Sequence, residues 1–142
     1  MPFHRYDVTI RFSHCDPAGI VYFPRFFSLF NDTVEDWFTR GLGIDYADLL
    51  LVQRLGLPIA HVACDFSAPC FMGECLSIDL TVERIGTSSL TLRYCGHVEG
   101  ERRLSARSVQ VHTSLATHRP IPIGDDWRGR MQPFMMGETE PC

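Results

Sequence analysis

Asp16 stands in the stretch His14-Cys15-Asp16-Pro17-Ala18-Gly19, where a proline that fixes its own φ and a glycine free to take positive φ make the chain turn. Pro24, a few residues on, opens a helical periodicity. A carboxylate can attack an acyl carbon or activate water, and backbone N–H groups at a helix N-terminus can hold a developing oxyanion. The nine residues from Asp16 to Pro24 therefore contain both halves of an acyl-transfer site. Asp-Pro is also common turn chemistry, and on spacing alone the plain turn is the stronger reading.

Other residues carry groups able to do chemistry. His14, Cys15 and Asp16 are metal-ligand types, but three consecutive residues of an extended loop point in different directions and no second ligand cluster accompanies them, so no metal is expected. Cys15 as a nucleophile needs a histidine partner, and the adjacent His14 cannot easily fold back on it; a packed or turn thiol is the expectation. Cys15, Cys64, Cys70, Cys75, Cys95 and Cys142 form no Cys-x-x-Cys pair and fall on strand or turn segments, which favours buried reduced thiols over disulfides. His61 and Asp65 share one side of a predicted strand, where they could meet a helix or a substrate, although a satisfied, half-buried histidine is the plainer reading of His61.

The elements that must position these groups follow from periodicity. Tyr6, Val8, Ile10 and Phe12 alternate with Asp7, Thr9 and Arg11 as a strand with one buried face. From Pro24 to Arg40, Phe26, Phe27, Phe30, Val34, Trp37 and Phe38 recur at threes and fours, a long helix with Gly41 as its C-terminal cap. A shorter helix is expected within 43–56. Four strands follow, at about 59–66, 76–85, 90–98 and 104–113, with turn-rich joins at Gly86-Thr87-Ser88 and Glu99-Gly100-Glu101-Arg102 that make them antiparallel. A short helix near 125–131 and an irregular tail close the chain. The order is α+β: an antiparallel sheet wrapped around one long apolar helix. Its exposed edge invites pairing into at least a homodimer.

Composition bounds the answer. The chain has 142 residues, the size of one domain, with 45% hydrophobic and 21% charged residues, and no run approaches the roughly 20 apolar residues of a membrane span. Met1 to Asp7 lack the pattern of a secretory leader, so a cytoplasmic location is expected. Net charge is −4 and the 13 basic residues are all arginine and scattered, which argues against nucleic-acid binding and leaves isolated arginines for the phosphates of a small ligand.

The run Cys15-Asp16-Pro17-Ala18-Gly19-Ile20-Val21-Tyr22-Phe23-Pro24 resembles the signature of the 4-hydroxybenzoyl-CoA thioesterase family of hot-dog-fold enzymes. The likeness continues to Pro58-Ile59, Asp65-Phe66-Ser67-Ala68-Pro69 and Gly73-Glu74, and covers roughly 6–113. It implies a hot-dog fold, an acyl-CoA substrate, and a homodimer or homotetramer with active sites at the subunit interface. Asp16 matches the family's catalytic aspartate, acting as nucleophile through a mixed anhydride or as general base towards water. Phe23 matches the residue whose backbone N–H polarises the thioester carbonyl, and Tyr22 would line the acyl pocket. Gly19, Phe27, Asn31 and His61 complete the expected substrate contacts. No cofactor is implied.

Two departures stand out. The family's aspartate on the central helix is Asn31 here, with Asp32 beside it, and its basic cluster after the third strand is reduced to Arg84. Coenzyme A phosphates would then draw on Arg84, Arg93, Arg102, Arg103, Arg119 or Arg128. The expectation is a single hot-dog domain over 1–142, with its core at about 6–113 and an extension over 114–142, hydrolysing a small or aromatic acyl-CoA. The rivals are a thioesterase for acyl-carrier-protein or short aliphatic substrates and a non-catalytic acyl-CoA-binding module.

Overall fold

A computed structural model describes residues 3–137 and 142. Its first strand, β1 (His4–Thr9), turns Tyr6, Val8 and then Ile10 towards the interior. Phe12, expected on that buried face, is 80% exposed. The strand geometry ends before it, where a 3-10 turn at Phe12–His14 begins and Arg11 N–H donates to His14 Nδ1 at 2.9 Å.

The long helix keeps α geometry over Arg25–Asp36 (α1) and then widens into a π-helical turn over Trp37–Leu42. Gly41, expected as the cap, lies inside that turn. A Cβ there would stand 2.8 Å from Trp37 Cδ1, so glycine is required by close approach rather than by φ. The cap is Gly43, whose φ of 71° suits a residue without a Cβ. The π turn leaves Trp37 and Phe38 both fully buried, in edge-to-face contact at 5.4 Å. The shorter helix follows as α2 (Tyr46–Leu51), with Asp45 accepting from Asp48 N–H at its start.

The sheet strands are β3 (Ile59–Phe66), β4 (Cys75–Ile85), β5 (Ser89–Val98) and β6 (Glu101–Val111); two short strands not expected from the sequence, β2 (Leu55–Gly56) and β7 (Thr113–Ser114), pair with each other. The main sheet has the order β1-β4-β5-β6-β3, antiparallel throughout. Glu99 and Gly100, with φ of 50° and 81°, form the tight hairpin between β5 and β6. The uneven alternation of the last long strand coincides with register shifts opposite Gly96/His97 and Ile59/His61.

The concave face of the sheet, built from Leu76, Ile78, Leu80 and Val82 on β4 with Leu90, Leu92 and Tyr94 on β5, closes over Phe26, Leu29, Phe30 and Val34 of α1. Phe30 and Tyr94 meet at 4.7 Å. Each such side chain contributes about 1.5–3 kcal/mol by leaving water, and this face locates α1, whose N-terminus carries the candidate site. The α+β arrangement expected of a hot-dog fold is the one observed.

The final helix, α3 (Asp125–Met131), lays Trp127 against Phe38 at 5.3 Å and His112 at 4.5 Å. The expectation of reduced cysteines is corrected for one pair: Cys95 and Cys142 form a disulfide. Their separation of 47 residues has no spacing signature, so only tertiary proximity reveals it. Beyond α3, Met136 N–H donates to Val82 O at 2.7 Å; the part of the irregular tail over 138–141 lies outside the described residues, as do Met1 and Pro2. Among the described residues no helix is long and apolar enough to cross a membrane.

Candidate active site

Residues 14–16 run antiparallel to 20–22 as a small ribbon. Cys15 bridges Val21, Asp16 N–H donates to Ile20 O at 3.0 Å, and Tyr22 N–H donates to His14 O at 2.9 Å. Alternation along such a ribbon sends Cys15 and Val21 into the core and puts His14, Asp16, Ile20 and Tyr22 on the other face. Burial agrees, with Val21 buried, Asp16 partly exposed and Tyr22 52% exposed. Cys15 is thereby turned away from Asp16.

Asp16 makes the turn that Asp-Pro suggests. Its Oδ1 accepts Ala18 N–H at 2.8 Å and its carbonyl accepts Gly19 N–H at 3.0 Å, an Asx turn that Gly19 completes with φ of 79°. Its Oδ2 has no hydrogen-bond partner among the described residues. His14, considered from the sequence as a metal ligand and as a partner for Cys15, shares the ribbon face with Asp16. Because His14 Nδ1 accepts the Arg11 N–H, the proton of a neutral imidazole lies on Nε2. Nothing in the sequence signals this pairing of faces; it requires the ribbon.

Beyond the ribbon the chain enters α1. Tyr22 O accepts Arg25 N–H at 2.8 Å and Phe23 O accepts Phe26 N–H at 3.1 Å, while Phe23 N–H donates to no acceptor among the described residues. A free N–H at the positive end of a helix suits an oxygen that gains negative charge.

The connection between β3 and β4 holds this loop from behind. Val21 N–H donates to Cys70 O, Met72 N–H to Gly19 O, and Gly73 N–H to Ile10 O, at 2.8–3.0 Å. Glu74 steadies that connection by accepting Phe71 N–H at 2.6 Å and Arg103 Nη1 and Nη2 at 2.7 and 2.9 Å. Arg103 beside Glu74 holds its carboxyl below the usual range. Neither residue was singled out for this role from sequence, since 29 residues separate them.

Between loop and connection lies a cleft of ≈ 340 Å³, lined by Ile20, Phe23, Phe26, Phe66, Ser67 and Cys70 among others. Phe26 and Phe66 meet across it at 5.1 Å. The structure thus brings Asp16, Gly19, Tyr22 and Phe23 into one loop, but Tyr22 does not line this cleft. Phe27 packs on Phe30 at 6.1 Å, and Asn31 is exposed one turn further along α1. Beside it, burial pushes the Asp32 carboxyl up, opposed by His14, in a groove shared with Tyr6 and Glu35.

His61 does not join the loop. Alternation along β3 puts Phe66 and Cys64 on the helix side and His61, Ala63 and Asp65 on the opposite face, where His61 is exposed without a hydrogen-bond partner among the described residues. The half-buried, satisfied histidine expected there is corrected, because His61 lies on the face of β3 turned away from α1. Of the arginines considered for phosphate binding, Arg103 is engaged by Glu74, Arg128 by the Ile123 and Gly86 carbonyls, and Arg93 by Glu83. Arg84, Arg102 and Arg119 are exposed.

Comparison with known proteins gives this geometry a context. Residues 10–131 match the family model described as the thioesterase-like superfamily. A 1,4-dihydroxy-2-naphthoyl-CoA hydrolase of Crocosphaera subtropica is 31% identical over 111 residues, 78% of this chain and 80% of that protein. Among solved structures, a thioesterase-superfamily protein from Jannaschia sp. CCS1 superimposes with a TM-score of 0.87 at 23% identity, over 95% of this chain and 94% of the other. The gentisyl-coenzyme A thioesterase BH1999 does so with 0.82 at 22% identity, over 90% and 99%. These two likenesses concern the fold.

Proposed function

Because this chain belongs to the thioesterase-like superfamily, we propose that it hydrolyses an acyl-CoA thioester to the free acid and coenzyme A, with Asp16 as the catalytic carboxylate. The observation that carries the reading is the pairing, in one loop, of an unpartnered Asp16 Oδ2 with an undonated Phe23 N–H. The Phe23 N–H holds the carbonyl oxygen as it becomes an oxyanion. Asp16 either attacks the carbonyl carbon, expelling the thiolate and leaving a mixed anhydride that water opens, or takes a proton from the water that attacks. Both routes need the free carboxylate oxygen and regenerate it.

An aromatic acyl group is supported by the relatives, whose names give 1,4-dihydroxy-2-naphthoyl-CoA and gentisyl-CoA as substrates; 4-hydroxybenzoyl-CoA is a further member of that class. Among the described residues the outer edge of β3 has no strand partner, and Phe66 on it is 45% exposed. An open strand edge with apolar side chains supports a homodimer that continues the sheet and brings a second copy to the site, with a tetramer as the larger assembly.

The test is thiol release with Ellman's reagent from aryl-CoA esters by wild type and Asp16→Asn. The asparagine keeps a carbonyl oxygen for the Ala18 N–H, so the turn survives while the charge is lost. Turnover should fall by about 10³-fold or more, of the order lost when a nucleophile or base is removed, with circular dichroism and oligomeric state unchanged. Near wild-type turnover in the variant would remove Asp16 from the mechanism.

A further inference from the structure

On β4, Leu76, Ile78 and Leu80 face α1, so alternation turns Asp79 to the other side of the sheet. There a cavity of ≈ 330 Å³ is lined by Asp79, by Cys95 and His97 of β5, by Gly100 at the hairpin, by Arg102 of β6, and by Cys142. The Cys95–Cys142 bond is thus part of its wall. Cys15, Cys64, Cys70 and Cys75 are free thiols, so this cavity surrounds the joined pair.

The two sulfurs of that pair are not equivalent. Cys95 is 5% exposed, whereas Cys142 is half-buried. A thiolate opens a disulfide by reaching one of its sulfurs, and access helps to decide which. Access here favours Cys142 Sγ.

The charges around the cavity suit an incoming anion. Asp79, its lining carboxylate, is already matched: Oδ1 accepts Arg5 Nε at 2.7 Å, and Oδ2 accepts Arg5 Nη2 at 3.0 Å and His97 Nε2 at 2.9 Å. Arg102 pairs in register with His97, is exposed, and has no carboxylate partner among the described residues. The neighbouring Glu101 accepts Arg103 Nε at 2.9 Å, and neither Glu101 nor Glu99 is among the residues lining the cavity. An unmatched guanidinium is suited to a carboxylate or a phosphate.

We propose that Cys95–Cys142 is a thiol-exchange site that takes a low-molecular-weight thiol bearing a carboxylate or phosphate, drawn in by Arg102. The incoming thiolate bonds to Cys142 Sγ, the Cys95–Cys142 bond breaks, and its electron pair leaves with Cys95 Sγ. A second thiolate then bonds to the sulfur of the first and frees Cys142. In all, two thiols are oxidised to their own disulfide, the protein disulfide is reduced, and the two thiol protons pass to Cys95 and Cys142. Glutathione and coenzyme A share this chemistry. The site is separate from the Asp16 loop and stands independently of the thioesterase reading.

The test treats the oxidised protein with glutathione, coenzyme A or neutral 2-mercaptoethanol, quenches with iodoacetamide, and locates adduct and alkylation by peptide mass. Thiols differ in intrinsic reactivity, so each anionic thiol's rate is divided by the 2-mercaptoethanol rate, in wild type and in Arg102→Gln. The adduct should fall on Cys142 and the alkylation on Cys95. For at least one anionic thiol the ratio should fall by at least about threefold in Arg102→Gln, the scale of one solvent-exposed charge pair, and recover in Arg102→Lys. The thiol with the larger fall identifies the source. Arg102 makes no hydrogen bond among the described residues, so these variants keep the fold. An adduct on Cys95 alone, ratios unmoved by Arg102→Gln for both anionic thiols, or a bond that none of the three thiols opens would overturn the proposal.

Discussion

Arg103 and Glu74 meet through two charge-assisted hydrogen bonds of 2.7 and 2.9 Å, and Arg103, 8% exposed, also donates to Pro69 O at 2.8 Å. The same Glu74 carboxylate caps the Phe71 N–H. One ion pair therefore ties β6 to the connection against which the Asp16 loop is hydrogen-bonded.

Glu74→Gln keeps the shape and removes the charge, leaving the nearly buried guanidinium with weaker partners. We expect a loss of about 1–3 kcal/mol in urea unfolding, together with a lower kcat/KM because the loop loses its backing. A change in neither stability nor kcat/KM would show that the loop is held by its backbone bonds alone.

Acid should weaken the fold through the same group and through Glu83. Arg103 beside Glu74, and Arg107 with Arg93 beside Glu83, hold both carboxyls below the ordinary 4.5. A carboxyl with a depressed folded pKa binds fewer protons native than unfolded, so its stabilisation is complete above about pH 4.5 and is lost as pH falls further. Melting temperature should decline from about pH 5 downward, and less steeply in Glu74→Gln. A parallel decline in the variant would assign the acid sensitivity to other groups.

Gly41→Ala tests the π turn. The new Cβ would sit 2.8 Å from Trp37 Cδ1 and 3.1 Å from His4 Nδ1, against a fully buried indole with no room to retreat. Overpacking of this kind costs about 1–3 kcal/mol, read as a lower denaturation midpoint. A variant as stable as wild type would mean that the turn rearranges freely.

The Cys95–Cys142 bond closes a segment of 47 residues and fastens the chain end to the sheet. Reduction, or Cys142→Ser, should lower stability by about 2–4 kcal/mol, and dithiothreitol should have no further effect on the variant. Intact mass with and without reductant checks the bond itself. Identical unfolding of oxidised and reduced wild type would leave the bond without a stabilising role.

Much of this was legible in the residues themselves. Alternation in Leu76-Ser77-Ile78-Asp79-Leu80 defined β4, threes and fours of aromatic residues defined α1, and Glu99-Gly100 marked a hairpin, because each is a local pattern with its own period or turn geometry. The loop from Asp16 to Pro24 was legible in the same way, because the residue types that the proposed acyl-transfer chemistry needs stand within one short segment.

What lay outside the sequence is what depends on partners far along the chain. That His14 and Asp16 share a face and Cys15 does not follows from the ribbon with 20–22, and that Phe23 N–H is left free follows from the turn that starts α1. That His61 faces away from the helix follows from the alternation of β3 once Phe66 is packed on Phe26 of α1. The cleft, the Glu74–Arg103 pair and the Cys95–Cys142 bond likewise join residues dozens of positions apart. Periodicity specifies which side chains are buried, but only the register of packed elements decides which of them meet.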